Sequence, residues 1–236
     1  MLFKSTSRNN EIIDINIDGD QIAPVKSVKF LGIHIDDKLN WKDELQSVEN
    51  TVSSACFALR TLRYEIDMTN LKQVYYALVE SKLRYSIRFW GNGFEGNINK
   101  AFVVQKRAIR TMVRISQQHS CRDYFLKLEL LTVPCLFILV ITTDLVKKLH
   151  GLETETERKE RLMTRRKYLK IDICPRLNVV KYSPRYQAPH IYNHLPIAFR
   201  EITSYRIFKS KLKSFLIKKC YYSIDEFIND KYLNEL

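Results

Sequence analysis

The chain has 236 residues, 45% of them hydrophobic, and a formal net charge of +13 at pH 7. This length holds one large or two small domains, and this apolar content excludes a chain that stays disordered. Residues 1–91 contain 12 basic and 12 acidic side chains, so the whole positive excess lies in residues 92–236. The excess favours a polyanionic partner for the second part of the chain, although a solubilising surface charge gives the same composition.

Short strands are predicted within the first 36 residues, at residues 1–4, 12–17, 21–23 and 28–35. Ile13, Ile15 and Ile17 alternate with polar residues, as on a half-buried strand. Gly19 lies between two aspartates and marks a turn, because glycine accepts a positive φ. We therefore expect a small antiparallel sheet at this end of the chain.

An acidic pair, Asp36 and Asp37, follows the last predicted strand. Paired aspartates can hold the two metal ions of in-line phosphoryl transfer. That role requires the tip of a β-hairpin and a third carboxylate from an earlier strand, and no earlier strand of this chain supplies one convincingly. We interpret the pair as the turn that leads into the next helix.

The first two predicted helices follow this pair. One begins near Asn40, whose side chain can accept hydrogen bonds from free backbone N–H groups, and it reaches about Leu62. The other begins after Thr69 and runs to Trp90, before the glycine-rich break at residues 91–93. We expect Trp41 and Trp90 to be core or hinge residues, with base stacking as the alternative.

A third helix is predicted to begin near Ile98, and basic residues cover one of its faces. At 100° per residue they fall within an arc of about 120° that contains no acidic residue. These residues are Lys100, Lys106, Arg107, Arg110 and Arg114. Such a stripe can neutralise successive phosphates of a nucleic acid, although a solvated face opposite the core has the same pattern.

The remaining predicted elements are a buried helix and a C-terminal module. Thr132 and Pro134 predict a helix over residues 133–150 that stops at Gly151. Its apolar run at residues 133–141 is too short to span a bilayer, so we expect no membrane partner. Charged residues dominate 151–167 and predict an exposed linker or a solvated helix. A basic amphipathic helix is predicted over residues 205–219.

The cysteines and histidines indicate neither a disulfide framework nor a metal site. The five cysteines are odd in number and scattered, with no CxxC pair and no secretory leader, which predicts an intracellular protein of the nucleus or cytoplasm. His190 and His194 share one helix face, but no Cys, Asp or Glu stands nearby at ligand spacing. We therefore expect ordinary helix histidines and no metal ligand.

Several blocks of the sequence carry a family resemblance. They are VKFLGIHIDDKLNW, SSACFALRTLR, VYYALVESKLRYSIRFWGN, VQKRAIRTM, SCRDYFLKLELLTVP, YSPRYQAPHIYNHLP and FKSKLKSFLIKKCYYSIDEF. In this order and spacing they resemble the region behind the catalytic core of reverse transcriptases from non-LTR retrotransposons of the jockey type. The resemblance covers nearly the whole chain.

The resemblance implies an α+β, mostly α fold in three parts. Residues 1–36 would be the β-rich end of a palm, residues 37–150 a helical thumb and connection region, and residues 151–236 a charged linker with a basic helical C-terminal module. Phe30, Leu31 and Gly32 match the primer-grip motif, which holds the primer end, and Gly32 would let backbone approach nucleic acid closely. RNA and DNA, as a template-primer duplex, are the partners it implies.

The resemblance also implies that the chain lacks the catalytic core. The family's catalytic aspartates are expected upstream of Met1, so Mg²⁺ would be needed only in a complete polymerase, and this chain alone is expected to be inactive and to bind no cofactor. Two functions stay open. The chain is either a transposon-derived fragment of an RNA-directed DNA polymerase that binds template-primer, or a decayed or host-retained protein-interaction module without a nucleic-acid function.

Overall fold

The structure is a computed structural model that describes residues 15–17, 20–23, 25–91, 96–152 and 181–230. It is mostly helical, with small antiparallel hairpins near the amino terminus, which confirms the predicted α+β, mostly α class. The predicted strand at residues 1–4 lies outside the described residues, as does nearly all of the predicted charged linker. The three predicted regions and their boundaries stay predictions.

Four short strands form two separate hairpins. They are β1 (Ile15–Ile17), β2 (Asp20–Ile22), β3 (Ser27–Phe30) and β4 (Ile33–Asp36). Strand β1 pairs antiparallel with β2, and β3 pairs antiparallel with β4. Among the described residues, the N-terminal strands therefore form two separate two-stranded pairs.

The hairpin of β3 and β4 corrects the single strand predicted at residues 28–35. Leu31 and Gly32 form a two-residue turn with φ values of 48° and 79°, and Phe30 pairs with Ile33 across it. Two positive φ values characterise the type I′ turn, whose twist matches that of the flanking strands. The Leu-Gly pair lacks the Asn or Asp that usually marks this turn, so alternation alone predicts an unbroken strand.

The helical elements follow the second hairpin. They are α1 (Lys42–Leu62), α2 (Met68–Tyr75), a π-helical turn (Tyr76–Glu80), α3 (Ser81–Arg84), α4 (Ile87–Trp90), α5 (Asn97–Val113), α6 (Arg122–Lys127), α7 (Val133–Leu152), α8 (Pro184–Asn193), α9 (Ile197–Arg200), α10 (Tyr205–Lys219) and α11 (Ile224–Ile228). Helices α5 and α10 match their predictions closely.

The start of α1 is organised by Asp36. Its carboxylate accepts backbone N–H groups from Lys38 at 3.1 Å, Asn40 at 3.0 Å and Trp41 at 2.7 Å. This confirms the interpretation of the acidic pair as the turn into the helix. The helix begins at Lys42, and the predicted role of Asn40 is confirmed, because its side chain accepts the N–H of Lys42 at 3.0 Å.

The second predicted helix is interrupted. Helix α2, the π-helical turn and α3 follow one another without a gap, and α4 begins after a break at residues 85 and 86. Residues 71, 75, 79, 83 and 87, which are all apolar or aromatic, are fully buried or nearly so. An α-helix has 3.6 residues per turn, so a stripe of every fourth residue drifts by about 40° at each step. The wider π-helical turn takes up part of this drift. Ser86, with φ 54°, then redirects the chain, and the true cap of α2 is Asp67, which accepts the N–H of Thr69.

Helix α7 lies at the centre of the core and packs against α5, α8 and α10. Residues 133 and 135–139 are at most 2% exposed, as expected for a helix that is apolar all round. The hydroxyl of Thr132 accepts the N–H of Cys135 at 3.2 Å, which confirms the predicted cap. The helix continues one residue beyond Gly151. Among the described residues, none of the helices combines the length and the apolar content needed to cross a membrane.

The C-terminal helices join the same hydrophobic core as α1, α5 and α7. Polar contacts hold the last described helix, α11, against α6 and against the end of α10. Arg122 forms an ion pair with Glu226 at 2.9 Å, and Asp230 accepts from the Tyr221 hydroxyl at 2.7 Å and from Lys219 at 3.0 Å. The predicted C-terminal module is therefore packed on the helices before it.

The two tryptophans occupy positions where elements meet. Trp90 is fully buried, and its indole N–H donates to the carbonyl of Tyr85 at 3.1 Å, which confirms it as a core residue. Trp41 is half-buried and stacks on Phe89, with ring centres 6.3 Å apart. Because the ring of Trp90 is fully buried, it is not available for base stacking.

Candidate nucleic-acid interface

A buried glutamine orients α5 in the helical core. Gln105 is fully buried, and its amide nitrogen donates to the Tyr75 hydroxyl and to the Leu131 carbonyl, each at 2.8 Å. Its amide oxygen accepts the N–H of Val133 at 2.9 Å. Burial raises the pKa of Tyr75 well above its usual range, so this hydroxyl stays neutral. These three bonds set the rotation of α5 and turn its basic residues away from the core.

Helices α1 and α5 enclose an open groove of about 660 Å³ on the surface. The residues that line it are Glu49, Arg60, Arg63, Val103, Val104, Arg107, Arg110, Thr111, Arg114, Ile115 and Gln117. Five of these are arginines and one is acidic. We refer to this feature as the arginine groove. It concentrates positive charge between two helices that are distant in sequence but packed together.

Three of the five predicted basic residues line the arginine groove. They are Arg107, Arg110 and Arg114. Lys100 is exposed about two helical turns before Arg107 and does not line the groove. The predicted stripe is therefore divided along α5, and only its later part faces α1.

Lys106 lies at the edge of the predicted arc, one turn before Arg110, and does not line the groove. Its ammonium nitrogen is 4.6 Å from the centre of the Phe102 ring and 5.9 Å from that of Tyr222. These cation–π contacts direct the side chain toward the C-terminal segment. Lys106 therefore does not contribute to the groove, contrary to what the helical arc predicts.

Two groove arginines come from the end of α1 and were missed by the sequence reasoning. Arg60 lies in the last turn of α1, and Arg63 is its C-terminal cap residue. Arg63 donates to the carbonyl of Thr111 on α5 at 2.6 Å, which ties the two helices together at this end. The only sequence signal was their position one helical turn apart; that α5 lies alongside them is a property of the tertiary structure.

The electrostatics of the groove differ between its two ends. Arg107 forms an ion pair with Glu49 at 3.6 Å and donates to the Ser53 hydroxyl at 2.8 Å. Among the described residues that line the groove, Glu49 is the only acidic one. The charge of Arg107 is therefore partly compensated, whereas the end near Arg60 and Arg114 remains strongly positive.

Tyr64 organises the positive end of the groove. Its hydroxyl accepts from Arg63 at 3.0 Å, and the Arg114 guanidinium lies 4.1 Å from the ring centre. Arg114 also donates to the backbone carbonyl of Arg63 at 3.1 Å. The hydrogen bond and the charge of Arg63 lower the pKa of Tyr64 below its usual range. Two guanidinium groups are thus held beside one exposed aromatic ring.

Donor capacity remains at this end of the groove. The Nε atoms of Arg63 and Arg110 are buried and have no hydrogen-bond partner among the described residues, so a ligand would have to use the terminal nitrogens of the groove arginines. Arg110 uses another nitrogen to donate to the carbonyl of His119 at 3.2 Å. Arginine presents several N–H donors in a planar fork that matches phosphate and carboxylate oxygens. The groove can therefore bind an anionic group of this geometry.

The predicted primer-grip residues lie elsewhere, at the tip of the second hairpin. Phe30 and Leu31 are 60% and 73% exposed, and the Leu31 carbonyl accepts from the Tyr85 hydroxyl. A side chain added at Gly32 would meet nothing closer than 3.8 Å, so its positive φ is what favours glycine here. The hairpin contacts α1 through Glu44, about 24 Å along the helix from Arg60.

No metal-binding cluster of three or more His, Cys, Asp or Glu side chains occurs among the described residues. His194 uses its Nδ1 in a contact of 2.7 Å with the carbonyl of His190, and the two rings lie 4.7 Å apart. The pair therefore packs within α8 and its cap.

Comparison of the chain with protein-family models, with curated proteins and with solved structures gives no match.

Proposed function

We propose that the chain binds nucleic acid through the arginine groove, as a transposon-derived fragment of an RNA-directed DNA polymerase without the catalytic core. The resemblance of its sequence blocks to the region behind the core of jockey-type reverse transcriptases supports this origin. With that origin, residues 37–150 correspond to a thumb and connection region, and a template-primer duplex is the ligand.

The convergence of five arginines on one groove is the observation that supports this function. Most of the binding free energy of non-specific nucleic-acid ligands comes from phosphate neutralisation and counterion release. Arg60, Arg110 and Arg114 are the groove arginines best suited to this role, because Arg107 is paired with Glu49 and both terminal nitrogens of Arg63 already donate within the protein. Phosphates would therefore lie at the positive end of the groove.

The test is fluorescence anisotropy with a labelled RNA–DNA hybrid at several salt concentrations. We expect the combined variant Arg60→Ala, Arg110→Ala and Arg114→Ala to bind at least about tenfold more weakly, because each charge-assisted hydrogen bond contributes roughly 1.5–3 kcal/mol. The slope of log K against log salt should fall by roughly 2–3, since each phosphate contact contributes about 0.7–0.9.

A matched control removes the same charge from another surface. Arg206, Lys209 and Lys218 are exposed on α10, and their combined replacement by alanine lowers the net charge equally. We expect this control to retain most of the affinity. Equal losses in both variants would mean diffuse attraction by net charge, and unchanged binding in the groove variant would refute the proposed site.

An exposed apolar tip favours the alternative, a protein-interaction module. Phe30, Leu31 and Tyr85 expose large apolar surfaces side by side on the hairpin and the α3–α4 connection. Large exposed apolar patches often mark protein contacts. If the wild-type chain binds no nucleic acid, this tip becomes the surface to test.

A further inference from the structure

We propose that the positive end of the arginine groove takes an unpaired, single-stranded segment of nucleic acid, with bases stacked on Phe57 and Tyr64. The inference rests on the proposed function and adds that this end of the groove holds an unpaired segment next to the template-primer duplex. It goes beyond phosphate binding, because arginines alone neutralise duplex and single strand alike.

Phe57 lies on α1 about one turn before Arg60, which lines the groove. At 100° per residue, Ser53, Phe57 and Arg60 fall within an arc of about 60°. Ser53 accepts from Arg107 and Arg60 lines the groove, whereas Phe57 lies about 40° beyond Ser53 on the solvent side of these two residues. Phe57 is 71% exposed. A large aromatic ring thus stands at the rim of the groove without contributing to the core.

Tyr64 is the second ring at this rim. It is 63% exposed although two groove arginines, Arg63 and Arg114, contact it. The hydrogen bond from Arg63 and the Arg114 guanidinium restrain the ring in place. A restrained ring loses little conformational entropy when a base stacks on it. Tyr64 comes seven positions after Phe57, in the turn that follows α1.

Exposed aromatic rings alternating with arginines are the arrangement that binds single strands. Bases of a duplex are stacked inside it, so a side chain at its surface reaches mainly phosphates and groove edges. Unpaired bases expose their faces and stack on aromatic side chains regardless of sequence. Arg60, between Phe57 and Tyr64 in sequence, supplies the charge for the connecting phosphates. The pairing of rings and charge therefore matches a single strand better than a duplex.

The experiment measures binding of a labelled pyrimidine single strand and of a blunt duplex of equal length. We expect Phe57→Ala with Tyr64→Ala to weaken single-strand binding by about tenfold or more, because each stacked base contributes roughly 1–3 kcal/mol. Duplex binding should change by less than about twofold. Tyr64→Phe, which keeps the ring, should retain more single-strand affinity than Tyr64→Leu. Ile207→Ala, at an exposed apolar side chain of α10 outside both the groove and the hairpin tip, is the control.

The outcomes separate this inference from the proposed function. Equal losses for single strand and duplex, or no loss for either, would overturn the stacking role while the arginine groove remains a phosphate site. Binding of poly-glutamate with the same dependence on Phe57 would show that the rings contribute to binding a polyanion without bases, and it would also overturn the stacking role. Absence of binding to any nucleic acid by the wild-type chain would refute both proposals.

Discussion

Replacing Gln105 by leucine removes the hydrogen bonds that join α5 to α2 and α7 while keeping a side chain of similar size. Three buried groups then lose their partner: the Tyr75 hydroxyl, the Leu131 carbonyl and the Val133 N–H. The Val133 N–H belongs to the first turn of α7, where no partner exists within the helix. Water cannot replace the amide, because the site is fully buried.

The expected loss of stability follows from these partners. Each buried donor or acceptor left without a hydrogen bond costs about 1–3 kcal/mol. Three such groups, partly relieved by local relaxation, give a loss of roughly 3–6 kcal/mol in the free energy of unfolding. Since a domain is stable by only about 5–15 kcal/mol, the variant should lose a large share of its stability. Its Tm should fall by roughly 6–20 °C.

Urea unfolding followed by circular dichroism measures this loss. Asn99→Leu, at an exposed position of the same helix, is the control and should change stability by less than about 0.5 kcal/mol. Tyr75→Phe alone should lower the free energy of unfolding by about 1 kcal/mol. It should also reduce the loss caused by Gln105→Leu by a similar amount, because the Tyr75 hydroxyl is then no longer present as a buried group without a partner. A loss below about 1 kcal/mol for Gln105→Leu, or no coupling with Tyr75→Phe, would refute this account.

Two further substitutions test the core and the acidic pair. Trp90→Ala should cost about 3–5 kcal/mol because the ring is fully buried; a variant that melts normally but loses single-strand affinity would contradict this. Asp36→Ala should cost roughly 2–4 kcal/mol by stranding three backbone N–H groups, and more than Asp37→Ala. In a primer-extension assay with Mg²⁺ we expect no incorporation by the wild type, and incorporation that both aspartate variants abolish would contradict our interpretation of the pair.

Local patterns were sufficient to predict the long helices. The residues that begin and end α5, α7 and α10, and the apolar periodicity between them, act within a few residues of each other. The apolar run of α7 likewise predicts its burial, because a helix without a polar face has to be enclosed. These features depend on the chain's neighbouring residues and are therefore readable from the sequence.

Elements whose geometry departs from regular periods were not predictable in the same way. The turn at Leu31 and Gly32 forms because the flanking strands pair. Its sequence lacks the Asn or Asp that usually marks such a turn. The π-helical turn keeps every fourth residue from Leu71 to Ile87 in the core, so packing against other helices overrides the regular helical repeat. In both cases contacts outside the segment decide its backbone.

The sequence by itself determined the basic charge of the second part of the chain and the basic residues of α5. Only the tertiary structure decided that Arg60 and Arg63 join them, because these side chains come from α1 and reach residues about fifty positions away. It also separated Lys106 from the groove by placing Phe102 and Tyr222 beside it. The physical reason is that helical periodicity places residues on faces of one helix, whereas a binding groove is formed by side chains of two helices packed together.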